Sequence, residues 1–451
     1  MRQDLIDAFS KIVGAEHVLT SEEKLLEYAD AATPGSIRQP DAIIEPADTS
    51  EVSRVLALAN VEKIPVYPRG CGSNLYHTVT PLAGGIIILL KRMNTILEID
   101  TANLAATVEP GVFVADLNNE VQKSGLIFPP DPGTLPTATI GGMVAQNTTS
   151  MRSLKYGVTK HYIMGLEIVL ADGRILKTGG KNVKDVAGYD LTKLMVGSEG
   201  SLGIFTKIIV KLMPAPETKK CLLATFKNLG EAGKAVENII GNKLVPSVLE
   251  LLDATTIQAL GNNALPGLPT DTAAVLLIEI DGIQTVVEND TAKIIEILQT
   301  HNAGHIAAAQ TEEECNALWA ARRAILPSLA KQNSMMWLTD VLIPRSKIAD
   351  MASAITSIAA KNNLTIATFG HVGDGALHPT IVCNAADRNE TSRVANAINA
   401  ISALTLTLGG KFSSKFQKDQ SGQAETYARQ AIKQAFDPNN ILNPIHRIKE
   451  G

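Results

Sequence analysis

The chain has 451 residues, enough for two large folding units or about three average ones, each able to bury its own core. With 45% hydrophobic and 19% charged residues it has an ordinary globular composition, which excludes wholesale disorder and collagen-like or coiled-coil chains. The 41 Lys plus Arg against 46 Asp plus Glu give a net charge of -5, with no cationic excess for a phosphate backbone, so nucleic acid is excluded as the main partner.

Residues 1–14 set Arg2, Asp4, Asp7 and Lys11 among Leu5, Ile6, Phe9 and Ile12, an amphipathic helix without a signal-peptide apolar core. From residue 41 to about 213, short β-branched runs alternate with turn residues, and strands are expected at 43–44, 66–67, 86–90, 106–108, 166–170 and 204–212. Thr49-Ser50-Glu51 ahead of Val52, Val55, Leu56 and Ala59 predicts a capped amphipathic helix. The apolar run at 86–90 is far too short to cross a bilayer, so no transmembrane segment is expected and the cytoplasm is the expected location. Pro214-Ala215-Pro216 marks a domain boundary. Beyond it, strands are expected at 221–226, 274–280, 336–342 and 365–369, and helices at 232–240, 290–298, 312–329, 348–361 and 425–436. The fold class is α+β: a first domain over 1–215 with its core from about 38, a second with a helix-backed antiparallel sheet over 216–420, and a terminal segment over 421–451. Cys71, Cys221, Cys315 and Cys383 form no CxxC pair, which excludes the usual iron–sulfur and structural zinc spacings and predicts a reducing compartment without a disulfide framework.

Several glycine-bearing stretches carry candidate chemistry. In Pro68-Arg69-Gly70-Cys71-Gly72-Ser73-Asn74-Leu75 a strand enters a loop whose glycines permit positive φ, so that it is either a backbone nest for phosphate oxygens or a hairpin loop with structural glycines. Leu75 occupies the third glycine position of the dinucleotide fingerprint, so this is no Rossmann turn. Pro129-Pro130-Asp131-Pro132-Gly133-Thr134, then Thr139-Ile140-Gly141-Gly142-Met143 and Asn147, combine stiff prolines with bare backbone, which suits a wall against a flat ligand. Lys184-Asp185-Val186-Ala187-Gly188-Tyr189-Asp190-Leu191 and Gly197-Ser198-Glu199-Gly200-Ser201-Leu202-Gly203-Ile204 add two tight turns. Any one of these is turn chemistry; together they point to one large cofactor. Gly370-His371-Val372-Gly373-Asp374-Gly375-Ala376-Leu377-His378-Pro379 sets two imidazoles about a glycine turn, either for a divalent metal or substrate carboxylate or for structure. In Trp319-Ala320-Ala321-Arg322-Arg323, Arg322 is either a solvated helix charge or a planar fork for a carboxylate.

In combination these motifs resemble the FAD-binding domain of the vanillyl-alcohol-oxidase or PCMH-type flavoproteins, and nearly the whole chain resembles the glycolate oxidase D subunits and FAD-linked D-lactate dehydrogenases. The resemblance implies a two-part FAD-binding domain, a cap domain that takes the substrate, and a C-terminal segment returning to the FAD domain. It implies FAD with its pyrophosphate cradled by Pro68, Arg69, Gly70, Cys71, Gly72, Ser73, Asn74 and Leu75. Pro130, Asp131, Pro132, Thr134, Ile140, Gly141, Gly142 and Asn147 then line the flavin, Glu199, Gly200, Gly203 and Ile204 hold the adenine side, and Asn443 lies near the isoalloxazine. His77 falls outside the pattern for covalent attachment, so non-covalent FAD is expected.

In the family, a GHxGDGNxH element carries two metal ligands and a WxxR position binds the substrate carboxylate. The resemblance thus places His371, His378 and Arg322 at the substrate site, with Asp340 on a strand beside them. A GEHG segment completes the family site with a Glu ligand and a His base, and here this chain departs. Leu408-Gly409-Gly410 leads into Lys411-Phe412-Ser413-Ser414-Lys415-Phe416-Gln417, so Lys415 stands for the Glu and Phe416 for the His, while Ala376 replaces the Asn. None of the 8 histidines lies between His378 and His446, and a Lys beside two imidazoles disfavours a cation, so a divalent metal lacks its third ligand.

Oxidation of a 2-hydroxy acid on FAD moves the α-hydrogen to flavin N5 as hydride while a base takes the hydroxyl proton. Arg322 is expected to orient the carboxylate and His371 or His378 to serve as substitute base. Lacking a cluster motif, the chain is expected to pass electrons to a protein partner, by resemblance an Fe–S subunit or an electron-transferring flavoprotein, or to a quinone pathway. The expected function is therefore an FAD-dependent dehydrogenase of the D-lactate or glycolate type. The alternative is a flavin-containing electron-transfer subunit that has lost substrate oxidation.

Overall fold

The computed structural model describes all residues except 34–35, 73–78, 262–264, 266–267, 334, 415–421 and 445–451. Unit 1 comprises Met1–Thr149, Val158–Ala215 and Lys418–Gly451, and unit 2 comprises Ser150–Gly157 and Pro216–Gln417. Residues 150–157 fall in the first domain when the sequence is simply cut at 215, yet they pack in unit 2. Arg152, Lys155 and the hydroxyl of Tyr156 all bind the carboxylate of Asp281, and Arg152 also pairs with Glu279 at 2.9 Å.

Unit 1 opens with α1 (Gln3–Val13), which buries Phe9 of the expected apolar face together with Val13, while Leu5, Ile6 and Ile12 are half-buried. β1 (Val18–Leu19), β2 (Ala42–Ile44), β3 (Val66–Arg69) and β4 (Ile86–Leu89) form a sheet in the order β1-β2-β4-β3, with β4 parallel to both neighbours. Every residue of β4 is buried, which is why it reads as an unbroken apolar run. α2 (Thr49–Val61) links β2 to β3 and is capped by Asp48, whose side chain accepts from Glu51 N at 2.8 Å. β5 (Ile96–Asp100), β6 (Ala105–Val108), β7 (Ile163–Val169), β8 (Ile175–Gly179) and β9 (Ile204–Lys211) form an antiparallel sheet in the order β8-β7-β9-β6-β5. The short α3 (Ile140–Gln146) begins at the Ile-Gly-Gly stretch and is capped by Thr139.

Unit 2 is an eight-stranded antiparallel sheet with helices on both faces. Its strands are β10 (Thr218–Phe226), β11 (Val248–Asp253), β12 (Ala274–Gly282), β13 (His305–Ala308), β14 (Met335–Leu342), β15 (Thr365–His371), β16 (Ala376–Cys383) and β17 (Lys411–Ser414), ordered β13-β10-β12-β11-β15-β16-β14-β17. Leu249 and Leu251 of β11 face α4 (Leu229–Gly241), α5 (Gln284–Thr300), α7 (Ile348–Asn362) and α8 (Arg388–Thr407), while Val248 and Leu252 face α6 (Glu312–Arg323). This alternation gives the sheet two buried faces.

Three expectations are corrected. The helix expected over 312–329 is broken: α6 stops at Arg323 and a second helix runs Ile325–Ala330. Pro327 has no N–H for the carbonyl of Arg323, and its ring crowds that group. The sequence pattern missed β1, β5, β8, β11, β13, β16, β17, α3 and α8. β11 and β16 are buried on both faces and lack the alternation that marks a half-exposed strand. Finally, Cys221 in β10 and Cys315 in α6, 94 residues apart, are paired as a disulfide with Cα atoms 5.6 Å apart, whereas Cys71 and Cys383 are free.

The C-terminal segment returns to unit 1 through α9 (Gln423–Phe436). Val66 N donates to Ile441 O and Asn443 N to Val66 O, both at 2.8 Å, which lays residues 441–443 along β3. The buried Lys433 fixes this return: its Nζ donates to Ser201 O at 2.8 Å, to Leu442 O at 2.6 Å and to the carboxylate of Asp437. Burial pulls the lysine's pKa down and Asp437 opposes that pull. Among the described residues, no helix is long and apolar enough to cross a membrane.

Candidate functional site

Each unit carries one candidate site. In unit 1, β3 ends at Pro68-Arg69 and the chain turns through Gly70, Cys71 and Gly72, with Gly72 at φ +68°. Ser73, Asn74 and Leu75 lie outside the described residues. Arg69 donates from Nη1 to Tyr28 O at 3.1 Å and stacks 5.4 Å from that ring's centroid, so the loop backbone rather than this side chain is the group suited to phosphate.

The other predicted segments converge on this loop. A Cβ on Gly70 would lie 2.4 Å from Thr139 Oγ1 at the start of α3, and one on Gly200 would lie 2.2 Å from Pro68 Cγ. Ile140 N and Gly141 N donate to Val112 O and Pro110 O, while Gly142 N turns to the Thr139 cap. Asn147 ends α3 in the left-handed region, and the next turn is tied to it by Glu199 N donating to Ala145 O at 2.9 Å. Asn443, 1% exposed, donates from Nδ2 to Glu199 O at 2.9 Å. Pro130 and Pro132 are buried, with Asp131 and Thr134 half-buried, in the loop that leads into α3. Gly203 has a packing reason, since a Cβ there would lie 2.5 Å from Ile168 Cγ2 on β7, and Ile204 opens β9 in the core. The stretch around Lys184 does not join this convergence; Val183, Val186 and Tyr189 are solvent-exposed.

These residues fit a large cofactor held by backbone. At Gly70 and Gly200 a side chain would strike Thr139 and Pro68, and Ser198 Oγ is buried with no partner among the described residues.

In unit 2 the site lies on the sheet face covered by α6. Glu250 on β11, fully buried, stands opposite His371 on β15 in the ladder and bonds its Nδ1. The same carboxylate accepts from Arg322 Nε at 2.6 Å, and the guanidinium lies 4.9 Å from the centroid of Phe369. His378 on β16 is 5.0 Å from His371 between ring centroids, and its Nδ1 is 2.7 Å from Asp340 Oδ1 on β14. The glycine turn thus brings both histidines together, and α6 delivers Arg322 to them.

Burial alone would raise the pKa of Glu250, but Arg322 and His371 outweigh it and hold the carboxyl well below its usual range. Burial pushes His371 down, yet Glu250 prevails and the net shift is upward. Asp374, in the turn between the histidines, is raised chiefly by burial, and its Oδ1 has no partner among the described residues. Glu250 is the functional residue that sequence reasoning missed. Its signal was a lone acid inside the apolar run Val248-Leu249-Glu250-Leu251-Leu252, a charge with no reason to be there unless paired.

Two imidazoles, each held at Nδ1 by a carboxylate, are half of a metal site. Among the described residues no third ligand atom completes it, and Lys415 and Phe416 lie outside them. The described donors therefore supply two ligands, short of the three protein ligands of a catalytic metal centre.

Residues 40–179 match the family described as an FAD binding domain, and residues 215–446 the one described as FAD linked oxidases, C-terminal domain. The chain is 45% identical to the glycolate oxidase subunit GlcD of Bacillus subtilis (strain 168), covering 98% of this chain and 96% of that protein. It is 32% identical to a D-lactate dehydrogenase of Anaerostipes hadrus, over 98% and 96% of the two chains. Among solved structures, 4-ethylphenol oxidase from Gulosibacter chungangensis shares the fold with a TM-score of 0.80 at 19% identity, covering 98% of this chain and 96% of that one. A p-cresol methylhydroxylase with substrate bound does so with 0.79 at 19%, covering 99% and 96%.

Proposed function

The chain belongs to the FAD-linked oxidases, and from that premise we propose that it is a dehydrogenase of small 2-hydroxy acids of the D-lactate or glycolate type. The observation that carries the reading is the Asp340–His378 pair, packed against the His371 that shares Glu250 with Arg322. With Nδ1 of His378 engaged by a carboxylate, the tautomer assigned from that bond leaves a lone pair on Nε2. Such an imidazole is suited to take the proton of a substrate hydroxyl, a role worth ~100- to 10,000-fold in rate. Arg322, with Nε anchored on Glu250, directs the rest of its guanidinium toward a carboxylate. His371, its Nδ1 bound by the buried Glu250, stands beside His378 and shares that carboxylate with Arg322. FAD, held by the unit 1 turns, would supply the hydride acceptor that takes a 2-hydroxy acid to its 2-oxo form.

Electrons then go to a protein acceptor, an Fe–S subunit or an electron-transferring flavoprotein, because the sequence holds no cluster motif of its own. The word "subunit" in the names of the glycolate oxidase relatives supports such a partner. The test is the visible spectrum of the purified holoprotein, recorded anaerobically before and after D-lactate, glycolate and related acids. Bleaching of the flavin band supports the dehydrogenase. A band that resists every acid of the panel but bleaches with dithionite or a redox partner overturns it and favours a flavin relay, the second reading, which rests on Lys415 and Phe416 standing in place of the family Glu and His.

A further inference from the structure

α6 presents Cys315, Trp319 and Arg322 on one buried face, at positions i, i+4 and i+7. Each meets a different strand of the unit 2 sheet. Cys315 meets Cys221 on β10, Trp319 Nε1 donates to Glu279 on β12 at 3.0 Å, and Arg322 Nε donates to Glu250 on β11 at 2.6 Å. The cysteine pair therefore clamps one end of the helix whose other end carries Arg322.

We propose that Cys221 and Cys315 form a reversible dithiol–disulfide site that sets how firmly α6 is held to the sheet. Their Cα separation of 5.6 Å is the span a disulfide takes, and both residues are buried. In oxidation each thiol gives up a proton. The S–S bond of a small-molecule disulfide breaks as the Cys221–Cys315 bond forms, and the two electrons leave in the pair of small thiols released. Glu279 Oε2 lies 3.9 Å from Cys221 Sγ in the paired state, an acceptor at hand for the thiol that reduction restores. Access comes through the helix end, where Thr311 caps Glu314 N at 3.2 Å and Glu314 holds Gln310 N at 2.7 Å; opening of that one capped turn uncovers Cys315.

A metal is the competing occupant, because Cys221, Glu279 and Cys315 also place three ligand atoms together. Glu279 is engaged already, by Arg152 at 2.9 Å, Ser247 Oγ at 3.0 Å and Trp319 Nε1 at 3.0 Å. A cation there would face the Arg152 guanidinium, so thiol exchange is the chemistry the cluster favours.

The experiment uses the full-length holoprotein, reduced or treated with oxidised glutathione, then alkylated in denaturant and mapped by mass spectrometry. The expected result is a Cys221–Cys315 cross-linked peptide, lighter by two hydrogens than the separate thiols, in the oxidised sample alone, with Cys71 and Cys383 still unlinked. Amide hydrogen exchange across α6 is expected to slow about tenfold on oxidation, and the melting temperature to rise by about 5 °C or more, a rise absent in Cys315→Ser. Both thiols alkylated after oxidant, equal exchange of α6 in the two states, or stoichiometric zinc retained by the reduced protein would each overturn the proposal. None of these readouts involves substrate, so they stand apart from the test of the dehydrogenase reading.

Discussion

In unit 1 the cradle is made of backbone: turns at Gly72, Asn147, Glu199 and Asn443 take positive φ, and glycines at 70 and 200 let Thr139 and Pro68 close in. In unit 2 the site is made of charged side chains, Glu250, Arg322, His371, His378 and Asp340, drawn from neighbouring strands and one helix. The first arrangement tolerates almost no added volume and little depends on charge. The second depends on every charge having its partner, since a buried ion is stable only when paired. The two sites should therefore fail in different ways.

The largest effect is expected at Glu250. Glu250→Gln leaves Arg322 and His371 buried without their anion, which costs about 3–5 kcal/mol. Thermal unfolding should shift down by about 10 °C, and acid-driven flavin reduction should be lost; an unchanged melting temperature would mean that the cluster is not held by charge. His378→Asn comes next. It should slow anaerobic flavin reduction by D-lactate or glycolate ~100-fold or more, with dithionite reduction and thermal stability barely altered; retained activity would remove His378 as base.

In unit 1, Gly200→Val puts a Cβ where Pro68 Cγ now lies, on a residue at φ +71°. Strain of ~1–3 kcal/mol should weaken FAD retention by about tenfold or more, measured as the flavin-to-protein absorbance ratio after gel filtration, while unit 2 unfolds as before. The smallest effect is in pH. Because His371 is raised above its ordinary value of about 6.5, the stability of its pair with Glu250 is complete below that pH and is lost as pH climbs through the folded value. Glu250, held low, contributes above about 4.5 and loses its contribution as pH falls through its folded value. A melting-temperature profile should thus decline on the alkaline side, and His371→Asn should flatten that decline.

The unit 1 site was legible because backbone cradles need glycine, proline and left-handed turns at fixed local positions, and such requirements are contiguous in sequence. The unit 2 site was legible only in fragments. The His371–His378 turn and Arg322 stood out, but Glu250 did not, because its role exists only once β11 is laid beside β15 and α6 across both. The break of α6 at Arg323 is marked in the sequence by Pro327, whereas the placement of residues 150–157 in unit 2 depends on Asp281 and Glu279, more than a hundred residues away.

By itself, then, the sequence determined the α+β class, the glycine-bearing turns and about half of the strands and helices, since each of these is a local property of side-chain period or turn chemistry. The tertiary structure alone decided that one carboxylate anchors both Arg322 and His371, that Asp340 orients His378, and that Cys221 meets Cys315. These pairings follow from strand order and helix placement, which are set by burial of two apolar sheet faces and leave no mark at any single spacing along the chain.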